Sequence, residues 1–245
     1  MKRICCLLFI ISSFWNLIGC RKAIKREQVS NYQVKTDNKI TKKEESHAIR
    51  DLESVKINKK SLTGSEIFRR YEKAVFMVFT SDGTKNYQGS GFFIGENGLA
   101  VSNYHVFEGT NIGREYIKLA NNNETLYKIT DVVYKSRKPD IIIFHVNYNN
   151  SIYIPIAKEK PSIGDKVFTI GSPRGLENTF SSGEVSQWRG EFLMQISALI
   201  DHGSSGGALI NEYGESIGIT SGSFYDGSQA NLNYAWSIEA VKGNL

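Results

Sequence analysis

From residue 75 onward the chain is a succession of short apolar runs, at 75–80, 88–94, 99–102, 116–119, 127–134 and 141–146. A second set follows at 166–170, 179–187, 192–196, 208–210, 216–221 and 233–237, and Gly, Asn and Asp turns separate the runs. Runs this short and this often interrupted suit strands rather than amphipathic helices, and they restrict the domain to an all-β barrel or sandwich. The segment 152–155 reads as the crossing between the two sets. A short helix precedes them: Thr63-Gly64-Ser65-Glu66 has capping-box spacing, and Ile67, Tyr71 and Ala74 form an apolar stripe. All three cysteines, Cys5, Cys6 and Cys20, lie upstream, so core burial rather than disulfide bonding must hold the domain together.

Within this frame one turn carries chemistry. Gly203-Ser204-Ser205-Gly206-Gly207-Ala208-Leu209 surrounds a serine with small residues. Gly203 and Gly206 permit a sharp turn that exposes the Ser205 hydroxyl and aims neighbouring backbone N–H groups, those of Gly203 and Ser205, at one point. A serine hydroxyl needs a base, and histidine is the side chain that titrates near neutrality. The chain has four histidines, His47, His105, His145 and His202. His105 closes an apolar run in Ala100-Val101-Ser102-Asn103-Tyr104-His105-Val106, and Asp140 stands at the mouth of Ile141-Ile142-Ile143-Phe144-His145-Val146, where it is placed to be desolvated. His105 is the candidate base and Asp140 the candidate orienter.

The order His, Asp, Ser excludes one competitor. Gly203-Ser204-Ser205-Gly206-Gly207 also satisfies the G-x-S-x-G elbow of α/β-hydrolases, but that fold draws its histidine from after the serine, and none follows Ser205. His145 reads as a strand residue, His202 and Asp201 as loop residues, and His47 as part of a polar leader. No metal-ligand spacing, phosphate loop or internal repeat is present, and no aromatic-interleaved basic motif suggests nucleic acid.

The chain resembles the trypsin-like serine peptidases, and among them the bacterial HtrA/Deg branch. Four ordered blocks carry the resemblance: Ser102-Asn103-Tyr104-His105-Val106; Asp140 and its strand; Gly164-Asp165-Lys166-Val167-Phe168-Thr169-Ile170-Gly171-Ser172-Pro173-Arg174-Gly175-Leu176; and the stretch from Gln195 through Ser205 to Asn211. It covers roughly residues 64–245. The fold it implies is two perpendicular six-stranded barrels, with His105 and Asp140 from the first and Ser205 from the second. It also implies Leu199, six positions before the nucleophile, as an apolar pocket floor favouring uncharged residues. Ile219, Thr220, Ser221 and Gly222 would form the strand edge that pairs with an extended substrate. No cofactor is implied, and homo-oligomers are common in the branch. Relatives often carry a PDZ module after the protease; here, past the short segment 237–241, a protease domain without one is expected. Ser204 stands where this branch usually has Asn and digestive trypsins have Asp, so activation through an ion pair at that position is not expected.

Ahead of the domain, Met1-Lys2-Arg3 and the apolar stretch 4–18 have the form of an export signal too short to span a membrane. Leu17-Ile18-Gly19-Cys20 resembles a bacterial lipobox, which implies a signal peptide at 1–19, a lipid on Cys20 and a tether at 20–63. The tether holds 12 Lys and Arg against 6 Asp and Glu, the composition of a solvated linker. Together these features describe a serine endopeptidase of the bacterial cell envelope. It would be lipid-anchored on the periplasmic side of the outer membrane and act on unfolded or envelope polypeptides. The alternative is a protease-fold chaperone that binds such chains with little or no cleavage.

Overall fold

The computed structural model describes residues 59–110, 113–120, 125–172, 175–176, 178–224 and 232–245, all within the unit Lys56–Leu245. The export signal, Cys20, His47 and the tether as far as residue 58 lie outside the described residues.

The opening helix α1, Gly64–Tyr71, begins where the capping box predicts. Thr63 Oγ1 accepts the Glu66 N–H at 3.3 Å and the Glu66 carboxylate accepts the Thr63 N–H at 2.8 Å. Its buried face, Ile67 and Tyr71, packs into the core. The segment before it is strapped to a hairpin of the domain by Leu62 N–H to Glu212 O at 2.7 Å and by the Lys59–Glu215 ion pair at 2.6 Å.

Six strands follow: β1 Val75–Ser81, β2 Asn86–Phe93, β3 Leu99–Ser102, β4 Tyr116–Leu119, β5 Leu126–Arg137 and β6 Asp140–Val146. They close into an antiparallel barrel in the order β1-β2-β3-β6-β5-β4. Six more, β7 Lys166–Gly171, β8 Thr179–Trp188, β9 Leu193–Ile196, β10 Ala208–Asn211, β11 Ser216–Phe224 and β12 Leu232–Ser237, close as β10-β11-β12-β9-β8-β7. A terminal helix, α2 Glu239–Lys242, ends the fold. The observed architecture is the all-β, two-barrel arrangement that the resemblance implies.

Two strands run three residues beyond their expected ends, β11 past Ser221 and β5 past Tyr134. Lys135, Ser136 and Arg137 are too polar to read as strand, but pairing to Ile142, Ile141 and Asp140 of β6 holds them in the ladder. Local pattern underestimates a strand whose hairpin partner supplies the order.

Three apolar clusters follow the topology. One fills the first barrel around Phe76, Phe93 and Phe144, and one fills the second around Val167, Met194 and Leu209. A third joins them, with Phe92, Val101 and Ile143 of the first barrel packed with Phe168, Ile170 and Ile219 of the second. Burial of such side chains contributes about 1.5–3 kcal/mol each, so the junction between the barrels is itself core. The crossing segment is tied to both: Ile154 N–H donates to Phe93 O at 2.9 Å, and Ser216 N–H to Pro155 O at 2.8 Å.

Candidate active site

The first barrel supplies a histidine–carboxylate pair. Strands β3 and β6 are registered antiparallel with Ser102 opposite Ile142, so the chain two residues beyond Ser102 arrives opposite Asp140. There it turns through a short 3-10 segment, Tyr104–Val106. His105 Nδ1 lies 2.6 Å from Asp140 Oδ2, and the His105 N–H donates to Asp140 Oδ1 at 2.8 Å. Asn103 Nδ2 donates to Asp140 O at 2.8 Å, fixing the carboxylate's own backbone. The Asp140 side chain is 15% exposed and that of His105 is 45% exposed. A shielded carboxylate beside Nδ1 favours the tautomer protonated there, an arrangement in which Nε2 can accept a proton.

The second barrel supplies the serine turn. Gly203 and Gly206 both have positive φ, 93° and 91°, a conformation open to glycine at little cost. A Cβ on Gly206 would lie 2.0 Å from Ser90 O and 2.3 Å from Ser102 Oγ, so the turn is pressed against the first barrel. The Ser90 N–H donates to Ser205 O at 2.8 Å. Neither the Gly203 nor the Ser205 N–H donates a hydrogen bond among the described residues.

The two halves meet through β11. Ser221 Oγ donates to Asp140 Oδ2 at 3.3 Å, and a Cβ on the adjacent Gly222 would lie 3.6 Å from Ser205 Oγ. Gly89 completes the contact, since its Cβ would meet Val106 at 2.8 Å and Ser205 O at 3.1 Å. His105, Asp140 and Ser205 are thereby gathered at one junction. The His105–Asp140 arm is closed, whereas the Ser205 hydroxyl has no hydrogen-bond partner among the described residues.

The residues expected to contact substrate stand in different settings. Ile219 and Thr220 are 0% and 1% exposed. The Thr220 N–H donates to Gly207 O at 2.9 Å and Thr220 O accepts the Gly206 N–H at 2.7 Å. The backbone of Thr220 is thus bonded to the serine turn, and Ile219 pairs with Ala208 and Trp236. Leu199 is 67% exposed, with its carbonyl held by Ser181 Oγ at 2.8 Å. His145 is a strand residue as expected, and Asp131 pairs with it across β5 and β6 at 3.0 Å. His202 and Asp201 sit in the loop before the serine.

Sequence reasoning missed Ser90, Asn103 and the bond from Ser221 to the carboxylate. Ser90 and Asn103 are each 0% exposed, and a polar residue within a small-residue strand, or just past the end of an apolar one, is the local signal that they carried.

The family model for a trypsin-like peptidase domain matches residues 89–219, a span that contains His105, Asp140 and Ser205. The serine protease HTRA3 of Rattus norvegicus is 35% identical over 148 residues, which cover 54% of this chain and 32% of that protein. A probable periplasmic serine endoprotease DegP-like of Rhizobium meliloti is 32% identical over 163 residues, covering 62% and 31%. The chain thus spans about a third of the length of these curated relatives. Among solved structures, the serine endoprotease from Yersinia pestis superposes with a TM-score of 0.66 at 26% identity, over 75% of this chain and 65% of that one. The chain belongs to the family of trypsin-like peptidase domains, with HtrA and DegP-like serine proteases among its relatives.

Proposed function

We propose that this chain is a serine endopeptidase that works through an acyl-enzyme, with Ser205 as nucleophile, His105 as general base and then general acid, and Asp140 as orienter. The observation that carries the reading is the closed His105–Asp140 pair, 2.6 Å apart, delivered by one barrel to the serine turn of the other. His105 Nε2 takes the hydroxyl proton as Ser205 Oγ bonds to the scissile carbonyl carbon. The Gly203 and Ser205 N–H groups receive the developing oxyanion. Collapse breaks the C–N bond, His105 returns the proton to the leaving amine, and water then releases the acyl group by the same steps in reverse roles.

Substrate recognition follows from the edge that remains. Backbone pairing at Ser221 and Gly222 recognises an extended chain through main-chain groups, which suits unfolded polypeptides of varied sequence. Leu199 offers no charge to the residue before the scissile bond. Because it stands exposed, the desolvation penalty that would exclude Lys or Arg is reduced, and a weak preference for uncharged residues is expected.

The same reading extends to the cell envelope, where a periplasmic relative supports the assignment and where a lipid on Cys20 would hold the protein to a membrane. No helix among the described residues is long and apolar enough to cross one. The test is fluorophosphonate labelling of the full chain with mass spectrometry of the Ser205 peptide and of Cys20. A Ser205 adduct together with cleavage of casein supports the peptidase, and binding of unfolded casein with neither adduct nor cleavage supports a chaperone instead. An unlipidated mature Cys20 would remove the anchor while leaving the chemistry.

A further inference from the structure

Three successive carbonyls of the nucleophile turn are each taken by a donor from another part of the molecule. Gly203 O accepts from Ser90 Oγ at 2.7 Å, Ser204 O from Thr220 Oγ1 at 2.7 Å, and Ser205 O from the Ser90 N–H at 2.8 Å. Ser204 O also accepts the Gly207 N–H within the turn at 2.9 Å. The two hydroxyl donors come from different barrels: Ser90 lies on β2, Thr220 on β11, and they are 0% and 1% exposed. Ser90 Oγ is further pinned, because it accepts the Ser172 N–H at 2.8 Å.

Peptide planarity turns these bonds into aim. In a trans peptide the C=O and the following N–H point in opposite directions, so a donor that holds one carbonyl sets the direction of the next residue's N–H. Thr220 Oγ1, on Ser204 O, thereby directs the Ser205 N–H. Ser90 Oγ, on Gly203 O, directs the Ser204 N–H, which donates to Asp201 O at 2.9 Å and closes the loop ahead of the serine. The peptide between His202 and Gly203 has no such latch among the described residues, so the Gly203 N–H depends on its neighbour being held.

We propose that Thr220 and Ser90 are positioning residues of the oxyanion site, two buried hydroxyls, one from each barrel, that fix the peptide planes of the nucleophile turn without touching substrate. This rests on the peptidase reading and specifies how its transition-state site is built. It also accounts for a hydroxyl-bearing residue at 220, where burial alone would favour valine.

The experiment compares Thr220→Val, which keeps the shape and loses the hydroxyl, with Thr220→Ser, which keeps the hydroxyl, and with Ser90→Ala, which keeps the main-chain N–H. The full chain in detergent is assayed for kcat and KM on a peptide anilide. It is also assayed for inhibition by a peptidyl boronic acid, whose tetrahedral adduct with Ser205 places an oxygen in the oxyanion site. Removing an oxyanion donor outright costs about a hundredfold or more, and misaiming one costs less, so Thr220→Val and Ser90→Ala are each expected to lower kcat by about tenfold. KM should stay within about twofold, and boronate affinity should fall by the same factor as kcat/KM. Thr220→Ser should retain about half of kcat or more.

Equal losses in Thr220→Val and Thr220→Ser, a loss confined to KM, or an unchanged boronate affinity would each overturn the proposal. If Thr220→Val does not fold by thermal melting, the same readouts on Ser90→Ala decide. A wild-type protein that forms no Ser205 adduct with fluorophosphonate overturns the peptidase reading itself, a result distinct from any difference among variants.

Discussion

The first barrel is filled with rings. Phe76 packs on Phe93 at 4.8 Å between centroids and on Phe144 at 6.5 Å, and Phe107 lies 5.3 Å from Phe144. The cluster inside the second barrel has no ring among its buried members; Ala198, Ala235, Met194, Leu209 and branched aliphatics line it, with Trp188 only partly buried at its border. This difference matches what each barrel gives the site. The ring-filled barrel presents side chains, His105 and Asp140, already joined and held by paired strands. The small-residue barrel presents backbone, and its main chains approach so closely that a Cβ on Gly183 would lie 2.3 Å from Ala198 N and one on Gly207 would lie 2.7 Å from Ile170 O. A pair of side chains can be placed by register and hydrogen bonds, whereas a cradle of N–H groups requires peptide planes to be set one against another, which larger side chains would prevent.

The contrast is most exposed at Asp140. Asp140→Asn keeps the shape of the first barrel's contribution but removes the charge that sets the tautomer of His105, and it should lower kcat by about ten-thousandfold with folding retained. A loss below tenfold would mean that the pair does not act as a unit. In stability the barrels should part in the opposite sense. Phe76→Ala opens a cavity among rings and should cost about 3–5 kcal/mol in urea unfolding, while the turnover of the folded fraction stays near wild type. Gly183→Ala forces main chains apart and should cost about 1–3 kcal/mol, with a fall in kcat because the second barrel's backbone spacing carries the turn. Equal effects of both on kcat would erase the distinction. Ser221→Ala removes the one hydroxyl that reaches from the second barrel to the first barrel's carboxylate, and a loss of about fivefold in kcat/KM is expected for one hydrogen bond of about 1 kcal/mol.

The smallest effect concerns acid stability at the edge of the first barrel. Hydrogen bonds from the Lys85 and Thr84 N–H groups, the Thr84 hydroxyl and Tyr87 hold the Asp82 carboxyl well below the usual carboxylate range. A folded-state value below the unfolded one means that the contribution is complete above the ordinary carboxylate range and is lost as pH falls through the folded value. Asp82→Asn should therefore flatten the acid limb of a stability–pH curve and leave neutral turnover unchanged. A matching change in the alkaline limb would contradict the assignment.

Much of this organisation was legible in the sequence, for identifiable reasons. Strands β3 and β4 match their expected bounds: Gly98 and Asn103 flank the first, and Lys118 between Ile117 and Leu119 gives the second its alternation. His105 and Asp140 stood out because each follows or opens an apolar run, and their order relative to Ser205 excludes another fold. Residues whose importance is set by approach rather than pattern were not legible. Ser90 lies in Gly89-Ser90-Gly91, which reads as an ordinary strand entry, and its role exists only because the turn 113 residues later folds against it. Thr220 reads as one more β-branched strand residue, and only the closed barrel shows that its N–H, C=O and hydroxyl all face the turn. Leu199 was placed by counting back from the serine, which fixes position along the chain but not exposure.

The central claim is that side chains from one barrel activate a serine held by the other. Its most direct test is the rate of fluorophosphonate labelling at Ser205, followed by mass spectrometry in the wild type and in His105→Ala. The account predicts a single adduct on the Ser205 peptide in the wild type and its loss in His105→Ala, because the hydroxyl needs the imidazole as its base. Labelling of Ser205 at an undiminished rate in His105→Ala, or an adduct on Ser204 instead, would contradict it.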